Sequence, residues 1–210
     1  GDPSFLGYNS SVFVDREGNQ LGTYDKMHLV PFGEYIPLAD WIPLLYRITP
    51  VTGGAQPGAS PTGMMLDDVL CVPNICYESA VPRLIRRQVN AVAEEFGRQP
   101  DVRVNVPNDA WYWGSSQLDQ HLACSVFRAV EMRMPHVIAA NGGLSAYVDA
   151  YGTIVEVTQR QTPTYLVADV KLLDAGPTFY SRWGDWFALP CVLCCVVLAV
   201  LGRRAGKQAE

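Results

Sequence analysis

The apolar run Val69 to Ile75 ends at a cysteine followed by polar residues, and from Ala80 to Phe96 the apolar positions change to helical spacing. That switch predicts a buried strand feeding an amphipathic helix. No other feature constrains the fold as much, because such a unit buries the strand and one stripe of the helix in a layered α/β domain. Val81, Leu84, Ile85, Val89, Val92 and Phe96 form the predicted inner face, with Arg83, Arg87, Glu94 and Glu95 outside. Cys76 falls at the junction. A thiol there is rigidly held, open to solvent and close to a predicted helix N-terminus, which favours the thiolate, so Cys76 is the candidate nucleophile. The alternative for such a residue is a small buried hydrophobe.

Strand and helix patterns recur along the chain. Tyr8 to Val14 alternates, Asp15 to Asn19 is turn-forming and Leu21 to Tyr24 resumes the extended pattern, which predicts a hairpin. Val102 to Val106 is a short strand, and Asp119 to Met134 a second helix with Leu122, Val126, Val130 and Met134 four apart. Further strands are predicted at His136 to Asn141, Leu144 to Asp149, Thr153 to Val157 and Tyr165 to Val170, with turns at Gly142-Gly143 and Tyr151-Gly152. At 210 residues and 49% hydrophobic, the chain suits one domain with one sizeable core. A net charge of -5 without a basic stripe argues against nucleic-acid binding. Its six cysteines are too unevenly spaced for a disulfide framework and show no zinc-like pairing.

Two segments break the pattern. His28 to Pro61 is a long connection rich in Pro and Gly, the kind that is functional or disordered in a compact domain. Within it, Trp41 to Tyr46 is too apolar for a solvated loop, so it packs on the body or meets lipid. Near the end, Trp186 to Leu201 is an uncharged run of 16 residues closed by Gly202-Arg203-Arg204. It is short for a transmembrane helix, but Trp183 and Trp186 suit one membrane interface and Arg203, Arg204 and Lys207 a cytoplasmic exit. The domain body then lies on the external side. A buried core helix is the alternative, and Cys191, Cys194 and Cys195 are most simply lipid- or helix-facing packing residues, with palmitoylation as the alternative.

A cysteine nucleophile needs a group to take and return a proton and another to stabilise the oxyanion. Lys26, at the end of a predicted strand, can hold the thiolate and the oxyanion, while Glu34 and Glu78 are candidate carboxylates. The histidines supply no dyad: His121 falls in a helix, His136 begins a strand, and His28 has no supporting Asn or Asp spacing.

Taken together, Tyr24-Asp25-Lys26-Met27-His28-Leu29-Val30-Pro31-Phe32-Gly33-Glu34 and Asn74-Ile75-Cys76-Tyr77-Glu78 resemble the apolipoprotein N-acyltransferase family, membrane enzymes of the nitrilase superfamily. Asn108-Asp109-Ala110-Trp111, Arg128-Ala129-Val130-Glu131, Ala140-Asn141-Gly142-Gly143 and Arg182-Trp183-Gly184-Asp185-Trp186 follow in the family's order. The resemblance implies an α/β fold, a nitrilase-like α-β-β-α sandwich over residues 1–182, incomplete at its N-terminus. A transmembrane segment over 183–204 and a cytoplasmic tail over 205–210 follow. It makes Cys76 the nucleophile and Lys26 the triad lysine, with Glu34, Tyr77 and Glu78 in support. Trp41, Leu44, Leu45, Trp111 and Trp113 are expected to border a lipid-facing entrance. The family moves an acyl chain from phospholipid, through a cysteine thioester, to the N-terminal amine of diacylated apolipoprotein at the bacterial inner membrane, on its periplasmic side. No metal or cofactor is implied. The triad glutamate lies upstream of the lysine in the family, and only Glu17 precedes Lys26 here. The chain is therefore expected to be a C-terminal portion that does not turn over alone. A nitrilase-type amidase and a catalytically silent membrane-anchored scaffold are the other readings.

Overall fold

The computed structural model describes residues 7–208 apart from 40, 43, 46–53 and 175, with backbone only for 202–208. Pro43 and Tyr46 of the apolar loop, and the side chains of Arg203, Arg204 and Lys207, therefore lie outside the described residues.

Among the described residues the strands are, in chain order, β1 (Gly7–Tyr8), β2 (Ser10–Val14), β3 (Gln20–Asp25), β4 (Ala55–Gln56), β5 (Met64–Leu66), β6 (Val69–Asn74), β7 (Val102–Asn105), β8 (His136–Ile138), β9 (Ala146–Val148) and β10 (Ile154–Val157). The α-helices described are α1 (Pro82–Phe96), α2 (Gln117–Met132), α3 (Phe179–Trp183) and α4 (Ala188–Gln208). The main sheet has six strands in the order β10-β9-β8-β7-β6-β5. Its centre, β6-β7-β8, is parallel, and both ends are antiparallel. Pro73 is tolerated inside β6 because pairing with β5 stops at Cys71, so its missing N–H falls where β5 has ended.

Helices cover one face of this sheet. Val92 of α1 joins Leu70 and Val72 of β6, while Ala129 of α2 joins Ile138, Ala146 and Val148. On the other face, Phe13 and Tyr24 of the β2–β3 hairpin pack with Met64, Cys71, Ile75 and Val102. The predicted hairpin, its turn and the strand–helix unit are all present. An α-β-β arrangement is thus formed, with no outer helical layer among the described residues.

One strand expectation needs correction. Tyr165 to Val170 forms no strand; it pairs with no described strand, and alternation alone cannot make a strand without a partner. On the second helix Leu122 and Val126 pack against the core, Val130 is half exposed, and Leu118, Ser125, Arg128 and Met132 are buried as well. A break at Gly184 separates α3 from α4, and among the described residues no helix is long and apolar enough to cross a membrane. The described part of α4 exposes apolar side chains all round, including Leu189, Val192, Leu193, Val196 and Leu198.

Candidate active site

Strand β6 delivers Asn74 and Ile75 to a sharp corner. Cys76 stands there with φ +53, a left-handed conformation that costs a non-glycine residue about 1–2 kcal/mol. A 3₁₀ turn, Cys76–Ala80, follows, and α1 starts only at Pro82, whose fixed φ suits a first helical position. Cys76 therefore opens a short turn and does not sit at the N-terminus of an α-helix. Glu78 holds the corner from below. It is fully buried and accepts hydrogen bonds from the Ile75 N–H (2.8 Å), Met27 N–H (2.8 Å), His28 N–H (3.0 Å) and Tyr24 hydroxyl (2.9 Å). Burial and the Glu78 charge push the Tyr24 phenol far up, so it stays a donor. This carboxylate is committed to tying the nucleophile turn to the end of β3.

The backbone beyond β3 is pinned where Lys26 donates its N–H to Asn9 O (2.8 Å) and accepts from Gly58 N–H (2.8 Å). Its side chain is 1% exposed, and Nζ donates to both oxygens of Glu34, at 2.8 and 2.7 Å. Glu34 also accepts from the Val30 N–H and Asn9 Nδ2, each at 2.8 Å. Burial alone would raise the Glu34 carboxyl, but these hydrogen bonds and the ammonium charge hold it below the ordinary range.

Lys26, Glu34 and Cys76 line one cavity of about 480 Å³ together with Asn9, Asn108 and Trp111. Burial pushes the Cys76 thiol up. The Lys26 ammonium and the backbone N–H groups of Asn108 and Tyr77 pull it down, the Asp109 carboxylate pushes it up again, and the net shift is upward. The lowered thiol pKa expected from a helix N-terminus is therefore not found, since burial outweighs the donors. These donors converge on the Cys76 sulfur. A strained cysteine corner, a buried lysine clamped by glutamate and converging N–H groups thus share one cavity, and residues 1–180 match the family model for carbon-nitrogen hydrolases. The chain belongs to the carbon-nitrogen hydrolase family.

Relatives of this family member sharpen the likeness. It is 37% identical over 196 residues to the apolipoprotein N-acyltransferase of Geobacter metallireducens, covering 93% of this chain and 36% of that protein. With the apolipoprotein N-acyltransferase of Rhodopirellula baltica it shares 36% over 182 residues, 85% of this chain and 31% of the relative. The chain therefore spans about a third of the length of these curated relatives. Among solved structures, a CN-hydrolase superfamily protein from Xanthomonas campestris superposes with TM-score 0.55 at 18% identity, over 75% of this chain and 54% of that one. The amidase from a Nesterenkonia species gives TM-score 0.50 at 16% identity, over 74% and 52%. At these identities the likeness is one of fold.

Of the residues expected at the carbon-nitrogen hydrolase site, Cys76, Lys26, Glu34 and Trp111 meet around the cavity. Tyr77 stacks on His28 with ring centroids 6.1 Å apart, and Glu78 lies beneath. Trp113 lines a neighbouring hollow with Asn141, Gly142 and Gly143. Trp41 and Leu44 are exposed and Leu45 is half-buried, but none of them lines the Cys76 cavity. Glu17 is exposed in the hairpin turn. Asn9, Asn108 and Tyr112 also line the cavity, unanticipated as site residues. His121 and Asp109, set aside or passed over in sequence, lie against the nucleophile turn; the signal was a polar stripe, His121, Ser125 and Arg128, at helical spacing.

Proposed function

We propose that this protein transfers a fatty acyl group from phospholipid, through a thioester on Cys76, to the N-terminal amine of a diacylglyceryl-cysteine on a lipoprotein. Sγ attacks the ester carbonyl; the S–C bond forms, the C–O bond breaks, and the proton lost by the thiol goes to the departing lysophospholipid oxygen. The acceptor amine then attacks the thioester, forming C–N and breaking C–S, and sulfur regains a proton. Lys26 and the N–H groups of Tyr77 and Asn108 suit the role of stabilising the negative charge of both steps. Glu34 holds Lys26 in place through both carboxylate oxygens.

The observation that carries this reading is the exposed apolar surface on the loops around the cysteine–lysine cavity, of which Trp111 itself lines the cavity. Phe32, Leu38, Trp41, Trp111 and Trp113 are each at least two-thirds exposed on the loops that supply lining residues. A soluble amide needs no such surface, whereas an acyl chain gains about 0.8 kcal/mol for each methylene it shelters. The names of the relatives support the same chemistry. We infer that Trp41, Leu44, Leu45, Trp111 and Trp113 meet the lipid. The exposed apolar surface of α4 supports a membrane contact there, and the basic residues after Leu201 support a bacterial inner-membrane location with the site on the periplasmic side.

The proton acceptor in the first step is proposed to be a glutamate outside these 210 residues, since Glu34 and Glu78 are committed to the hydrogen bonds above and Glu17 is far out on the hairpin turn. The test uses the full-length protein in detergent with radiolabelled phosphatidylethanolamine and a diacylated lipopeptide. Label should move to the peptide amine in the wild type, and Cys76→Ala should abolish the transfer. Release of free fatty acid with no peptide labelling would instead support hydrolysis.

A further inference from the structure

The carbonyl oxygen of Cys76 is gripped from three directions. Three side chains from three elements converge on it: Ser79 Oγ at 3.3 Å from the 3₁₀ turn, Asn105 Nδ2 at 3.3 Å from β7, and His121 Nε2 at 3.1 Å from α2. Nε2 also lies 2.9 Å from Ser79 Oγ. The other ring nitrogen, Nδ1, is 2.9 Å from Asp109 Oδ1, and both side chains are almost buried, 10% and 4% exposed. The Cys76 carbonyl can only accept, so Nε2 is assigned as the donor to it, and Nδ1 faces the carboxylate.

Asp109 is itself locked in place. Its N–H donates to Asn141 O (2.9 Å), and the turn behind it must be glycine, because a Cβ on Gly143 would stand 2.5 Å from Asp109 Oδ2. A small enclosed space lined by Asn105, Asp109, His121 and Ser125 lies alongside.

The peptide that links Cys76 to Tyr77 is planar and trans, so its C=O and N–H point in opposite directions. Gripping the carbonyl from below therefore fixes the direction of the Tyr77 N–H above, and that N–H faces the Cys76 sulfur. A donor on the carbonyl also polarises the amide, which strengthens its N–H as a donor. We propose that Asp109 and His121 are positioning residues that act through the Cys76–Tyr77 peptide, aiming and polarising the Tyr77 N–H toward the oxyanion. The role rests on the acyl-transfer reading, since it requires a tetrahedral oxyanion at Cys76.

Two reactions of Cys76 separate the role from general support of the fold. Acylation by p-nitrophenyl butyrate passes through an oxyanion; alkylation by iodoacetamide does not. In the full-length protein, His121→Leu should slow acylation by about 10-fold or more, less than the loss of a whole oxyanion donor, and leave alkylation nearly unchanged. His121→Gln, whose amide N–H reaches the same carbonyl, should restore most of the acylation rate. Should His121→Leu not fold, Asp109→Asn makes the same comparison with the ring intact. The proposal is overturned if both rates fall together, if acylation is unaffected, or if glutamine does no better than leucine. Absence of acylation in the wild type would count against the acyl-transfer reading itself, whereas normal wild-type acylation without a selective loss in the variants counts against the Asp109–His121 role alone.

Discussion

Replacing Glu78 by glutamine is the most informative single change to the nucleophile turn. The side chain keeps its shape but exchanges one acceptor oxygen for an NH₂. If that NH₂ takes the Oε2 position, it meets the Ile75 N–H; in the Oε1 position it meets those of Met27 and His28. One buried backbone N–H is orphaned at the least, at about 1–3 kcal/mol, and the bonds that survive lose their charge-assisted strength, so the total is about 2–4 kcal/mol. For a chain of this size the unfolding midpoint should fall by roughly 5–15 °C. Thermal unfolding followed by circular dichroism measures the shift, with Glu94→Gln as control. Glu94 is exposed, so the same change of charge there should leave the midpoint within about 2 °C. A Glu78→Gln midpoint equal to that of the control would refute the idea that this carboxylate braces the turn.

Lys26→Met should abolish acylation and cost about 3 kcal/mol in urea denaturation by stranding Glu34. Lys26→Met with Glu34→Gln should recover stability but not activity. Because the Glu34 carboxyl is held below its ordinary value, the stability it contributes is full above about pH 4.3 and lost as pH falls through its lower folded pKa; the double variant should lack this acid limb. Since the Cys76 thiol is shifted up, its alkylation rate should keep rising past pH about 8.5, the ordinary thiol value; a plateau near neutrality would contradict the assignment. Gly143→Ala should push Asp109 off His121 and reproduce the selective acylation loss of His121→Leu, measured by the same pair of rates.

The parts of the fold legible in sequence were those set by local periodicity. The Val69 to Ile75 run, the helix behind it and the Asp15 to Asn19 turn each follow from neighbours in the chain. Contacts over long separations were not legible. Glu78 could be read as a flanking carboxylate, but its partners Tyr24, Met27 and His28 lie about fifty residues away. Lys26 and Glu34 came together through family resemblance, because eight residues of Pro- and Gly-rich loop carry no periodic signal. The polar part of the inner face of α2 was illegible for a related reason. Apolar spacing picked out Leu122 and Val126, which do pack on the core, but the helix also turns His121, Ser125 and Arg128 inward, where Arg128 Nη1 donates to Ser79 O at 3.4 Å. A polar stripe buried against a nucleophile turn looks like a solvated face until the turn is in place.

The central claim, that Cys76 carries the acyl group, is tested most directly by peptide mass spectrometry. The full-length protein is incubated with phosphatidylethanolamine in the absence of lipopeptide acceptor, digested, and compared before and after neutral hydroxylamine. One added acyl mass on the peptide containing Cys76, removed by hydroxylamine and absent from Cys76→Ala, is the expected result. Acyl mass on Cys124 or on the Cys191–Cys195 segment, or acylation that persists in Cys76→Ala, would contradict it.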